Sequence, residues 1–158
     1  MKLFLCSHFS SVGSLIKEEI ENKKVAFIPT ASLHEGYTGY VGSARKLFKK
    51  LGAIVTEIDI STEAYSTIQS VFEDADVIYF TGGNSFFLID QLRKTGTDEL
   101  LKNCLLYTSI MDANSRTIIL DFCCDHRLSF PQVDSLATMV LSIYSYHSLP
   151  LLFKESHR

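Results

Sequence analysis

The sequence predicts an α/β fold built on a doubly wound, mostly parallel sheet. Three observations carry that expectation. Short apolar runs alternate with segments whose apolar residues recur at helical spacing. One run, Val77-Ile78-Tyr79-Phe80, is apolar almost throughout, as in a strand covered on both faces. A Gly-Gly pair follows that run and precedes a helical pattern, which is the join of a βα unit.

Lys2–Cys6 reads as the first strand, ending in the polar loop Ser7-His8-Phe9-Ser10-Ser11. A helix over Ser14–Glu21 sets Leu15, Ile16 and Ile20 on one side, with Glu18 and Glu19 on a solvated face. Lys24–Pro29 is a second buried strand stopped by Pro29. Thr30–Gly36, with His34 and Glu35, is a polar loop. Val41, Ala44, Leu47, Phe48 and Leu51 mark an amphipathic helix whose other face carries Arg45, Lys46, Lys49 and Lys50. Gly52 stands where a C-terminal cap belongs.

The alternation then repeats. Ile54–Ile60 is a third strand, Ile68, Val71 and Phe72 mark a short helix, and Val77–Phe80 is a fourth strand. Thr81-Gly82-Gly83-Asn84 is a turn, and Ser85–Thr95 a helix stopped by Gly96. Thr97 caps one more helical turn, Asp98–Asn103, with two acids near its start.

Beyond Cys104 the pattern changes. Leu105–Ile110 and Thr117–Phe122 read as strands separated only by residues 111–116. Parallel neighbours need a crossover of about a dozen residues or more, so either this pair is antiparallel or a crossover is missing. Asp134–Tyr146 reads as a final helix, with Val133, Leu136, Ala137, Val140, Leu141 and Tyr144 in one apolar stripe. Leu149–Phe153 reads as the beginning of a strand. One domain over 1–158 is expected from this length.

Composition removes several function classes. With 46% apolar residues the chain has enough to build a core, which argues against disorder. A net charge of −3 leaves no basic footprint for nucleic acid and no polybasic patch for a membrane surface. No apolar run is long enough to span a bilayer, and the N-terminal run is too short for a signal-peptide core. Cys6, Cys104, Cys123 and Cys124 form no C-x-x-C pair, so reduced thiols in a cytoplasmic protein are expected. Cys123, Cys124, Asp125 and His126 are consecutive, and neighbours on a strand point to opposite faces. They cannot all reach one ion, so neither a metal nor a cofactor is expected.

The glycine turn is the most informative short motif. Gly82 and Gly83 let the backbone bend sharply and present N–H groups to an oxyanion or phosphate. Taken alone, Gly-Gly-Asn is better explained as a strand-to-helix turn with Asn84 or Ser85 as the N-cap. Its surroundings change that weight. Phe27-Ile28-Pro29-Thr30-Ala31-Ser32, Tyr40-Val41-Gly42-Ser43-Ala44-Arg45-Lys46 and Ala75-Asp76 running on through Val77–Leu88 occur in this order. This ordered set resembles peptidase family S51, the dipeptidase E or α-aspartyl dipeptidase family. The resemblance covers about residues 1–104 and returns at Leu120-Asp121-Phe122, His126 and Phe130-Pro131.

The resemblance implies a class I glutamine amidotransferase-like fold, a flavodoxin-like three-layer arrangement left incomplete in the C-terminal third. It implies a serine on a G-x-S-A-G elbow, a histidine on a later loop, an acidic partner, and an oxyanion-hole amide from Gly82 or Gly83, with Asn84 beside them. His126 matches the family's histidine, although Asp125 replaces the proline before it. No G-x-S-A-G is present. The nearest serine, Ser109, lies between Thr108 and the β-branched Ile110, with no glycine to relieve a tight elbow. In one alignment Ser109 is a decayed elbow serine. In the preferred one the elbow is deleted, because Met111-Asp112 resembles family sequence from beyond it, and the missing crossover is then the elbow helix.

Two functions follow as expectations. The first is a serine peptidase homologue acting on small acidic dipeptides, impaired by loss of the elbow, with Ser109 and His126 as catalytic candidates. The second is a non-enzymatic remnant acting as a binding or oligomerising module that self-associates through its C-terminal third. A small peptide is the expected ligand in the first; neither nucleic acid nor membrane is a partner. The other candidates have plainer explanations. Cys104 and Cys124 sit on no glycine elbow and read as buried small hydrophobes. His34 and Glu35 read as a solvated loop, and Phe86-Phe87-Leu88 as core.

Overall fold

The computed structural model describes residues 2–103, 116–121 and 151–153. Its strands are β1 (Lys2–Cys6), β2 (Lys24–Ile28), β3 (Ile54–Glu57), β4 (Val77–Phe80), β5 (Thr117–Asp121) and β6 (Leu151–Phe153). They form one sheet of six strands in the order β3-β2-β4-β5-β1-β6, and every pairing is parallel. The register runs straight across the middle: Val25 lies opposite Val77, Val77 opposite Thr117, and Thr117 opposite Lys2.

Side-chain alternation divides the apolar residues between two faces. Along β4, Val77 and Tyr79 enter one core while Ile78 and Phe80 enter the other. The first face is covered by α1 (Phe9–Val12), α2 (Lys17–Ile20) and α3 (Gly39–Lys50). Its centre is aromatic: Phe9 stacks on Phe48 at 4.6 Å, and Tyr79 lies 4.9 Å from Phe27 and 5.0 Å from both Phe9 and Phe48. The second face is covered by α4 (Tyr65–Asp74) through Ile68 and Phe72, and by α5 (Ser85–Thr95) through Leu88, Ile89 and Leu92. Leu100 and Leu101, in the helical residues 97–103, complete it. This is the doubly wound arrangement, and the four strands expected from the alternation all pair in parallel.

Local boundaries differ from the sequence reading in four places. The helix expected over Ser14–Glu21 begins earlier and is broken: α1 opens at Phe9, a 3-10 turn covers Gly13–Ile16, and α2 follows. Phe9 sets this path. Its ring is fully buried, its N–H donates to Asp121 Oδ2 at 3.2 Å, and a Cβ on Gly13 would lie 2.6 Å from its ring. The third strand stops at Glu57 rather than Ile60, because Asp59 draws the chain into a polar turn. Ile58 and Ile60 are buried all the same, which is why alternation extended the strand. The second strand ends at Ile28, and Pro29 leads into a 3-10 turn, Thr30–Ser32. Thr97 is itself helical and fully buried, its hydroxyl 2.7 Å from that of Thr95, so it does not cap the following turn from outside.

β5 fills the centre of the sheet between β4 and β1. The expected strand Leu105–Ile110 and the final helix Asp134–Tyr146 lie outside the described residues. The choice between an antiparallel pair and a missing crossover falls there too. The strand expected from Leu149 is present as β6, paired with β1.

Candidate active site

Two neighbouring strands send the chain in opposite directions. From β2 it passes through α3 on one face to β3, and from β4 through α5 on the other face toward β5. The divergence opens a crevice beyond the carboxyl ends of β2 and β4, the place where open α/β sheets bind ligands. The walls of this crevice are the loop after β2 and the Thr81-Gly82-Gly83-Asn84 turn.

Hydrogen bonds hold the two walls together. The Thr81 N–H donates to Ile28 O at 3.1 Å, extending the ladder, and the Asn84 N–H donates to Ala31 O at 2.8 Å. Between them, Gly82 O accepts from the Tyr40 hydroxyl at 3.1 Å. Gly83 has φ of 129°, and a Cβ there would collide with the Ala31 carbonyl, so only glycine fits this approach. Among the described residues, neither the Gly82 N–H nor the Gly83 N–H meets an acceptor. The Thr81 hydroxyl beside them is buried and also lacks a partner among the described residues.

Asn84 is the N-cap of α5, its Oδ1 accepting from the Phe87 N–H at 3.0 Å. The positive end of the helix dipole therefore points at the glycine turn. Open amides at such a point favour an oxyanion, the charge that develops when a carbonyl is attacked.

The rim is aromatic. The rings of His34 and Phe87 meet edge to face with centroids 4.7 Å apart, and Tyr37 lies 6.4 Å from Tyr40. Phe86 is 55% exposed and Tyr37 74% exposed. The sequence reading placed Phe86-Phe87-Leu88 in the core, and this holds for Leu88 alone. α5 buries the side that carries Leu88, Ile89 and Leu92, which turns the first two phenylalanines toward the crevice loops and solvent. His34 is exposed as expected but paired with Phe87.

Two further polar groups lie at this edge of the sheet. Asp121, at the end of β5, is buried, and its Oδ2 accepts from the Tyr79 hydroxyl at 2.7 Å and from the Phe9 N–H. Asp59, after β3, accepts from the Ser61 N–H and from the hydroxyls of Ser61, Thr30 and Thr62. Burial alone would raise the Asp59 pKa, but the bonds from Ser61, Thr30 and Thr62 outweigh it and hold the carboxyl below its usual value.

Of the residues singled out from sequence, Gly82, Gly83 and Asn84 come together here. Ser109 and His126 lie outside the described residues, as do Cys104, Cys123, Cys124 and Asp125. Among the described residues no three His, Cys, Asp or Glu side chains are placed to hold a metal ion, and no helix is long and apolar enough to cross a membrane. The sequence reading quoted Tyr40 and Asp121 within the family-like motifs but gave neither a role; the Tyr40 hydroxyl fixes the turn from forty-two residues away, and Asp121 accepts from Tyr79. An acid at the end of an apolar strand, inside Leu120-Asp121-Phe122, was the signal for Asp121.

The model of peptidase family S51 matches residues 5–109 of this chain. The chain belongs to peptidase family S51. An uncharacterized peptidase of Listeria monocytogenes is 44% identical over 102 residues, 63% of this chain and 50% of that protein. One from Pasteurella multocida is 41% identical over 104 residues, 64% of this chain and 50% of its own length. Peptidase E of Nostoc sp. is 29% identical over 112 residues, 65% of this chain and 45% of that enzyme. The S51 chain thus spans about half the length of the curated relatives it matches. The crystal structure of a Listeria monocytogenes protein assigned to the peptidase E type superposes with a TM-score of 0.69 at 38% identity, covering 78% of this chain and 59% of that one. The S51 fold is therefore the class I glutamine amidotransferase-like α/β arrangement implied by the sequence motifs.

Proposed function

We propose that this S51 chain is a serine-type dipeptidase homologue that receives a peptide carbonyl at the Gly82-Gly83 turn and is impaired in cleaving it. The observation that carries this reading is the pair of open amides at the head of α5, combined with a sequence that contains no G-x-S-A-G. In an intact site a serine hydroxyl adds to the peptide carbonyl carbon, and a histidine takes the hydroxyl proton. The two amides stabilise the resulting oxyanion, and the same proton passes to the departing amine as the C–N bond breaks. Here Ser109 and His126 are the candidates for nucleophile and base. Ser109 lacks the small neighbours that let an elbow serine project from its turn.

The aspartyl preference implied by family likeness requires a cation facing the substrate carboxylate. Purified protein offered Asp-X dipeptides and a serine-directed covalent probe tests the reading. We expect binding without turnover and no labelling. Turnover that disappears in Ser109→Ala would make the chain a working peptidase. The second reading, a non-enzymatic binding or oligomerising module, is favoured by the same missing elbow, and it predicts a self-associating protein that binds no dipeptide.

A further inference from the structure

The orientation of the peptide that joins Gly82 to Gly83 is not fixed by the bonds on either side of it. Before it, the Thr81 N–H is tied to Ile28 O, and after it, the Asn84 N–H is tied to Ala31 O. Between these two anchors the peptide can turn about ψ of Gly82 and φ of Gly83, and neither residue has a Cβ to oppose the rotation. Something other than local sterics must decide which way its carbonyl points.

The Tyr40 hydroxyl decides it. This hydroxyl donates to Gly82 O at 3.1 Å in a buried bond that spans forty-two residues. The peptide is trans, so the Gly82 carbonyl and the Gly83 N–H point in opposite directions. Holding Gly82 O toward Tyr40 therefore turns the Gly83 N–H away from Tyr40, where it meets no acceptor among the described residues. The ring cannot drift with the turn. Tyr40 lies in the first turn of α3 and packs in the same core as Val41, Ala44 and Phe48. The seating of α3 on the sheet is thus passed to the glycine turn through one oxygen.

We propose that Tyr40 is a positioning residue for the carbonyl site, its hydroxyl holding the Gly82-Gly83 peptide in the orientation that offers the Gly83 N–H to a peptide carbonyl oxygen. The proposal rests on the reading of the turn as the seat of that carbonyl. Gly82-Gly83 is the only Gly-Gly pair among the eight glycines. Protein carrying NMR-active isotopes at the glycine carbonyl carbon and nitrogen therefore gives a single cross-peak in an amide-to-carbonyl correlation spectrum, and that peak reports this peptide alone. In the full chain, added Asp-Leu should move the proton of the peak downfield as the Gly83 N–H gains an acceptor. Tyr40→Phe keeps the ring and removes the donor. Its ligand-free peak should move upfield in the carbonyl dimension, and it should bind Asp-Leu about five- to tenfold more weakly, the range of one hydrogen bond. Val41→Ala loosens the same helix but keeps the hydroxyl. It should lower the urea midpoint, leave the peak in place and bind Asp-Leu like the wild type. If Asp-Leu moves the wild-type peak but Tyr40→Phe binds as tightly as the wild type, or Val41→Ala loses as much affinity as Tyr40→Phe, Tyr40 has no positioning role and the carbonyl site stands. If Asp-Leu leaves the wild-type peak unmoved, the turn is not the seat of the carbonyl and both readings fall.

Discussion

The carbonyl oxygen of Ala31 occupies the space that a side chain on Gly83 would need. This contact joins the 3-10 turn after β2 to the turn after β4, and the bond from the Asn84 N–H to the same oxygen locks it. The glycine pair therefore does more than bend the chain. It lets two diverging loops touch at the switch point between β2 and β4, where the Gly82 and Gly83 N–H groups meet no acceptor among the described residues.

Gly83→Ala should destabilise the fold. A residue with φ of 129° lies outside the regions that side chains adopt, which costs about 1–3 kcal/mol. The collision with backbone adds to this, because Ala31 cannot rotate away as a side chain can. Urea unfolding should show a lower midpoint with an unchanged slope, whereas Gly42→Ala, inside α3 and with no atom near its Cβ, should raise the midpoint by the helix preference of alanine over glycine, about 0.5–1 kcal/mol. Equal midpoints for the two variants would remove the close approach from the account.

Asp121→Ala should be costly for a different reason. The buried Tyr79 hydroxyl and the Phe9 N–H would both lose the carboxylate that accepts from them. Leaving a buried donor without its acceptor costs about 1–3 kcal/mol. Asp121→Asn keeps an accepting oxygen and should recover part of the loss. If the alanine variant unfolds at the wild-type midpoint, the β1 loop is held by packing of Phe9 alone.

The fold was legible where one physical requirement dominates. Val77–Phe80 is apolar because helices cover both faces of β4, and Gly52 and Gly96 close helices with φ of 79° and 71°. The Gly82-Gly83 turn was legible as a bend at a strand end. What it touches was not, because Ala31 and Tyr40 lie far away in the chain and have no unusual residue type. The Phe86-Phe87 pair misled for a related reason. Hydrophobicity marks a residue as able to enter the core, but the rotation of α5 decides which side enters. The path through Phe9–Ile20 was set by one buried ring and not by a helical period, so periodicity placed its start too late.

Asp59 should make stability depend on pH in the acid range. Its carboxyl is held below the usual value by Ser61, Thr30 and Thr62 against the opposing effect of burial. A depressed folded-state pKa contributes stability that is fully present above the unfolded value, near 4, and is lost as pH falls through the lower folded value. Asp59→Asn keeps the shape but removes the titration, so its unfolding midpoint should fall less than that of the wild type between about pH 5 and pH 2. Parallel acid limbs for the two proteins would show that the network does not discriminate between the charged and neutral acid.

The activity prediction follows from what the carbonyl site can and cannot do alone. Oxyanion stabilisation lowers the barrier only once something attacks, and nucleophile and base act as a unit, so loss of one removes about as much rate as loss of both, about 10⁶-fold in kcat. Ser109 has Thr108 and Ile110 beside it and no glycine, which does not suit the strained turn that exposes an elbow serine. The protein should therefore bind an aspartyl dipeptide such as Asp-Leu without releasing leucine above background, and a serine-directed probe should leave it unlabelled. Ser109→Ala should bind the same peptide equally well and be equally silent. Release of leucine by the wild type and not by Ser109→Ala would show that Ser109 reaches the carbonyl despite its neighbours, and the chain would then be a working member of its family.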